Sequence, residues 1–300
     1  MQNNPYFQFL TFKKISFSLS LLFIAGILSA LHYYPGQNWK TGIGNGEMGN
    51  DLPNDTTIIL NNIAVDISYP AGKQKGSILI LPGWNFNRAD VCINSDFCNL
   101  AKQYGYCLIK PEMGKSVYLF ENFKETREDW VHNPTLTWVI DTLIPYCQQK
   151  FKILLPGNNN FLFGISTGGR GVAQIAINTG NLFTAGASLS GDYNQLLQKD
   201  DKLMTGYLGP YEKFPSRWTG KDNPFMNALQ LKTPLYLGHG KLDKIVPVEQ
   251  TITFFQQISS INPQLGHVRH IDETGGHNYN YWNSEMHRIF AFFYEKRLNK

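Results

Sequence analysis

The reading of the chain turns on residues 161–176, Phe161-Leu-Phe-Gly-Ile-Ser-Thr-Gly-Gly-Arg-Gly-Val-Ala-Gln-Ile-Ala176. A short apolar run closes at Gly164, Ser166 follows, then Gly168 and Gly169, and a helical pattern of small residues begins. This is the strand, tight turn and helix of a G-x-S-x-G nucleophile elbow, with Ser166 at its tip. The turn must hold its central residue in a strained conformation with the hydroxyl projecting. Side chains at Gly164 and Gly168 would crowd the neighbouring helix and strand. The pentapeptide alone is a weak signal. Its place between a strand pattern and a helix pattern strengthens it, and the rest of the machinery must then follow in order.

A serine hydroxyl is a poor nucleophile at neutral pH. It needs a histidine to take its proton and a carboxylate to orient that histidine. On this architecture the order along the chain is serine, acid, histidine. After Ser166, Leu235-Tyr-Leu-Gly-His-Gly-Lys-Leu-Asp243 supplies a buried strand, a glycine turn and an aspartate where the strand opens, which makes Asp243 the expected acid. Asp192, after the preceding strand, is the alternative. His277 is the expected base, because Thr274-Gly-Gly-His277 lies between the last strand and the last helix. His270, within a strand pattern, and His239, ahead of the acid, read as structural histidines. The oxyanion needs preformed donors, and by position these are the backbone N–H groups of Thr167 and of Trp84 in Pro82-Gly-Trp-Asn85.

Outward from the elbow, the patterning predicts strands at 56–60, 63–69, 77–81, 106–110, 185–190, 234–238 and 267–271. Helices are predicted at 95–104, 135–150, from the elbow through Asn178, at 248–258 and at 282–296. Asn61-Asn62 reads as a hairpin turn. Strands alternating with helices imply an α/β fold, a mostly parallel central sheet with helices on both faces. The 300 residues, 42% hydrophobic and 17% charged, suit one such domain over 55–300. A net charge of +4 without a basic block points to neither nucleic acid nor a strongly acidic partner.

Ahead of the domain, Lys13 and Lys14 precede an uncharged apolar run from Ile15 to Leu31. Residues 1–31 are therefore expected to be a signal peptide or an uncleaved membrane anchor, and 32–54, rich in Gly and Asn, a flexible linker. The expected location is outside the cytoplasm, periplasmic or secreted, with membrane association through residues 15–31 if the segment is retained. Four cysteines, Cys92, Cys98, Cys107 and Cys147, allow three full pairings, of which Cys92 with Cys98 is the first to test. No C-x-x-C or His/Cys cluster with zinc spacing occurs, so neither a metal nor a cofactor is expected.

These residues resemble the α/β-hydrolases. Gly275-Gly-His-Asn-Tyr-Asn-Tyr-Trp282, together with Ile144-Pro-Tyr146, is similar to the esterase D and feruloyl esterase branch. The resemblance covers 55 to the C-terminus. It implies an α/β-hydrolase fold and cleavage of a carboxylic or thioester by Ser166, Asp243 and His277, on a small-molecule or carbohydrate-linked ester. The chain departs from that branch at Pro82, where many relatives have histidine, and at Thr167, where a larger apolar residue is common. Neither change removes a backbone donor. Gly240-Lys-Leu-Asp-Lys-Ile-Val-Pro247 is shared with prolyl-oligopeptidase-like enzymes, so a serine peptidase is the nearest rival. A non-catalytic binding module on the same fold is a rival of another class.

The loop-rich interval 192–231 follows a strand end on the active-site side. Its aromatics Tyr207, Tyr211, Phe214, Trp218 and Phe225 either form a rim for substrate or pack the insert onto the domain. Tyr207, Trp218 and Tyr279 are taken as the substrate-binding candidates. Arg170, in the elbow helix, is expected to pair locally.

Overall fold

The computed structural model describes residues 55–298. The expected signal or anchor segment 1–31 and linker 32–54 lie outside the described residues. Strands β1 (Thr56–Leu60) and β2 (Ile63–Ser68) form the expected hairpin, and Asn61 and Asn62 take positive φ of 51° and 64°. Two left-handed residues match the twist of the strands they join, and asparagine tolerates that conformation better than other side chains.

The hairpin leads an eight-stranded sheet. It continues with β3 (Gly76–Leu81), β4 (Tyr106–Pro111), β5 (Asn160–Ile165), β6 (Ala185–Leu189), β7 (Leu235–Gly240) and β8 (Val268–Asp272), in the spatial order β1-β2-β4-β3-β5-β6-β7-β8. The hairpin joins the sheet antiparallel, through β2 against β4, and every later pairing is parallel. Each residue of β3, β4, β5, β6 and β7 is buried, as required of a parallel sheet covered on both faces.

One face packs against the helix over 136–151, the elbow helix Thr167–Asn178 and the helix Glu249–Ile261, through Val139, Val172, Ile175 and Phe254. The other packs against Phe97–Gln103 and Met286–Leu298, where Phe97 stacks on Phe163 at 3.9 Å and Phe161 on Phe293 at 4.5 Å. Two differences from expectation bear on the site and its surroundings. The helix predicted at 95–104 is found at Phe97–Gln103, and a further short helix, Asp90–Asn94, precedes it, the two tied by a Cys92–Cys98 disulfide, while Cys107 and Cys147 are buried free thiols. Strand β7 runs two residues beyond the predicted end, which places His239 inside the sheet. Among the described residues no helix is long and apolar enough to cross a membrane.

Candidate active site

Ser166 sits between β5 and the elbow helix with φ 55° and ψ −126°, a strained conformation for a residue with a side chain. The strain is held from both sides. A Cβ on Gly164 would lie 2.2 Å from the Gly168 carbonyl oxygen, and one on Gly168 would lie 2.0 Å from that of Leu81. Only glycine lets β5, the helix and β3 approach this closely. The Ser166 N–H is anchored on the Leu189 carbonyl at 2.8 Å.

The other two residues come from the loops that follow β7 and β8. The turn after β7 is hydrogen-bonded to the loop after β8, Lys241 N–H to Asp272 O at 2.7 Å and Leu242 N–H to Gly275 O at 2.9 Å. This brings His277 between Asp243 and the serine: Nδ1 lies 2.7 Å from Asp243 Oδ2, and Nε2 lies 3.0 Å from Ser166 Oγ. Asp243 accepts on its other oxygen from the N–H groups of Ile245 and Val246, at 2.8 and 2.9 Å. Burial alone would raise its pKa. The hydrogen bonds from His239, His277 and the Val246 amide outweigh burial and hold the carboxyl well below the usual range. The carboxylate is thus a fixed anion facing the imidazole. The His277 ring is braced edge-to-face by Trp282 at 5.1 Å, whose indole N–H donates to Ser190 Oγ at 3.1 Å.

The triad opens into a cavity of about 250 Å³. Trp84, Phe86, Leu203, Met204, Ile245 and Val246 give it apolar walls, and Ser166, Thr167 and His277 line its floor. Thr167 is the first residue of its helix, so its N–H has no acceptor within the helix. The Trp84 backbone belongs to the loop after β3, where Gly83 approaches so closely that a Cβ there would be 3.2 Å from the Ser166 Cβ. Both oxyanion candidates therefore stand beside the nucleophile.

The three substrate candidates are not brought into this cavity. Tyr207 and Trp218 are 2% and 0% exposed and pack with Val117, Leu119 and Trp130 in a separate apolar cluster. Their polar atoms donate to the Lys115 and Gly209 carbonyls. They fasten the insert to the domain because large rings gain most from full burial. Tyr279 stacks on Phe86 at 6.2 Å, one ring back from the cavity wall. Sequence reasoning missed Phe86, Leu203, Met204 and Ile245. Their one sequence signal is position, in segments that follow strand ends on the serine's side of the sheet.

Asp192, the alternative acid, also lines the cavity but is held by Arg170 Nη1 at 2.8 Å. Arg170 is fully buried and pairs locally as expected. It also donates to the Val117 carbonyl, to Gln195 Oε1 and to the Asp222 carbonyl. This guanidinium ties the elbow helix to the cavity wall. His270 lies in β8 with its Nδ1 2.9 Å from Glu285 Oε1, away from the triad.

Fold and site together define a serine hydrolase of the α/β-hydrolase class. The prolyl oligopeptidase family model matches residues 147–299, from the middle of the helix over 136–151 to the C-terminus. The chain belongs to that family. No curated protein matches it in sequence. Solved structures are similar to it in fold. An S-formylglutathione hydrolase from Agrobacterium tumefaciens has a TM-score of 0.64 at 16% identity, over 81% of this chain and 94% of that one. FphF, a fluorophosphonate-binding serine hydrolase of Staphylococcus aureus, has 0.63 at 17% identity, over 80% and 96%. The acylaminoacyl peptidase of Pyrococcus horikoshii has 0.57 at 16% identity, over 80% of this chain but 41% of its own.

Proposed function

We propose that this protein is an exported carboxylic ester hydrolase working through an acyl-enzyme on Ser166. The observation that carries the reading is the unbroken hydrogen-bonded line from Asp243 through His277 to Ser166, ending in an apolar cavity. His277 Nε2 takes the Ser166 proton as Oγ attacks the acyl carbon, and Asp243 stabilises the imidazolium. The N–H groups of Thr167 and Trp84 receive the oxyanion. Collapse expels the alcohol, protonated by His277, and water then repeats the sequence on the acyl-enzyme. Export rests on the apolar run at residues 15–31, which is also the proposed route to membrane association.

We read the cavity as the site of the acyl group. Its walls mix apolar side chains with Gln195, Gln198 and Gln250, its acidic lining residues are Asp192 and Asp201, and it has no lysine or arginine among the described residues that line it. A short neutral acyl or aryl group fits, and a carboxylate-bearing one would meet unfavourable charge. The neighbours described as an S-formylglutathione hydrolase and a ferulic acid esterase support ester cleavage. The family match and the acylaminoacyl peptidase likeness favour a second reading, peptide cleavage by the same residues.

Matched p-nitrophenyl esters and p-nitroanilides, from acetyl to octanoyl and including aminoacyl members, separate the two. The expected result is ester turnover that prefers short neutral acyl groups. In Ser166→Ala it falls by about 10³-fold or more. Higher kcat/KM on aminoacyl anilides would make the peptidase reading correct. Folded protein inactive on both series would end both.

A further inference from the structure

Asp243 carries two imidazoles. Besides His277, the His239 Nε2 atom lies 3.3 Å from Asp243 Oδ2 and 2.9 Å from the Val246 carbonyl oxygen. A carbonyl only accepts, so this nitrogen bears a proton and shares it between the carbonyl and the carboxylate. Nδ1, on the far side of the ring, lies 2.8 Å from Thr251 Oγ1. His239 and Thr251 are both 0% exposed, so no water competes for these bonds.

The chain of contacts runs further into the protein. Thr251 also hydrogen-bonds the Tyr193 hydroxyl, which lies 2.5 Å from Ser188 Oγ. The preceding residue, Gln250, accepts the Tyr193 and Asn194 N–H groups at 3.0 and 2.8 Å. One turn of the helix Glu249–Ile261 thereby holds both the acid's turn and the loop bearing Asp192. The titratable groups around the His239 ring are Asp243 on its own turn, His277 from the loop after β8 through that carboxylate, and Tyr193 from the loop after β6 through Thr251.

We infer that His239 is a positioning residue for the hydrolytic reaction: its Nε2–H fixes Asp243 Oδ2 toward His277 and withdraws charge from it. The inference rests on the serine-hydrolase reading of Ser166. Two backbone N–H groups already fix Oδ1, so the second imidazole acts on the oxygen that meets the base. A donor on that oxygen weakens its hold on the imidazolium. It also stops the carboxylate from rotating out of line.

The test is the rate at which a fluorophosphonate labels Ser166, measured from pH 5 to 9 for the full chain, His239→Leu and His239→Gln. Labelling needs no knowledge of the substrate and runs through the same proton transfer. Glutamine can place an amide N–H near the position of Nε2, whereas leucine fills the space without a donor. For His239→Leu the expected results are a labelling rate lower by about tenfold at its plateau and a pH midpoint about half a unit or more higher. His239→Gln should recover most of both. Three results would overturn the inference: a leucine variant with the parent's midpoint and rate, a glutamine variant as impaired as the leucine one, or losses in both that follow only their loss of thermal stability. A parent protein that is folded yet never labelled overturns the serine-hydrolase reading itself, and this inference with it.

Discussion

Replacing Arg170 with methionine removes a cation while keeping most of its aliphatic volume. The guanidinium is 0% exposed and donates to the Val117 carbonyl at 3.2 Å, to Gln195 Oε1 at 3.1 Å, to Asp192 Oδ1 at 2.8 Å and to the Asp222 carbonyl. Methionine leaves those acceptors behind. The Asp192 side chain is 18% exposed and faces the cavity, so water meets part of its need. The Val117 and Asp222 carbonyls sit where the arginine shut water out. Each stranded acceptor costs about 1–3 kcal/mol, and breaking a buried ion pair from one side costs about 3–5 kcal/mol in all. For a domain of this size that corresponds to a fall in Tm of about 6–20 °C. Arg170→Lys keeps the charge but loses the fork, and should fall between the two. Thermal melts by circular dichroism at pH 8, with urea midpoints as a second measure, read the effect directly. A methionine variant melting within 2 °C of the parent would refute the claim that this network holds the elbow helix to the cavity wall.

Two further predictions concern stability. Gly168→Ala forces a Cβ to within 2.0 Å of the Leu81 carbonyl oxygen, so the elbow helix and β3 must part. The expected outcome is a loss of about 3 kcal/mol in urea unfolding and of about 10²-fold or more in kcat, and a variant matching the parent in both would contradict the packing argument. Burial, with Lys296 nearby, lowers His267 from 6.5 to about 4, and its Nδ1 accepts the Leu235 N–H at 3.0 Å, which needs the neutral ring. The unfolded chain binds a proton below 6.5 that the fold refuses, so stability present above pH 6.5 is lost as pH falls toward 4. The loss is about 3 kcal/mol, and it should disappear from the pH dependence of His267→Asn.

Much of the site could be read from the sequence because its parts are short-range signals. The elbow needs glycines at fixed spacing around Ser166, and the hairpin needs residues such as Asn61 and Asn62 that accept positive φ. Asp243 and His277 follow from chain order, since each sits in a loop after a parallel strand, the buried β7 and the edge strand β8. What escaped was set by tertiary contact. Gly240 resembles a turn in isolation, yet it lies within β7, and this puts His239 inside the protein. Tyr207 and Trp218 carry the same aromatic signal whether they face a ligand or a core. Only the insert's packing against Val117 and Trp130 decides between the two. Helix 136–151 keeps its apolar face, but its π turns, Val139–Leu143 and Cys147–Phe151, have no mark in the residue pattern.

The chain separates its nucleophile from its base by 111 residues, and the base belongs to the loop that follows the last strand of the sheet. A ribosome adding roughly 5–20 residues per second needs about 6–20 s to travel from one to the other. Until Asp243 is added the nascent chain holds a serine with neither acid nor base, and until His277 is added it still lacks the base, with β7 and β8 yet to extend the sheet beyond β6. The competent nucleophile therefore appears only after His277 has been added. Truncated products made by premature termination before His277 would contain the elbow motif and yet be unable to cleave anything by this route.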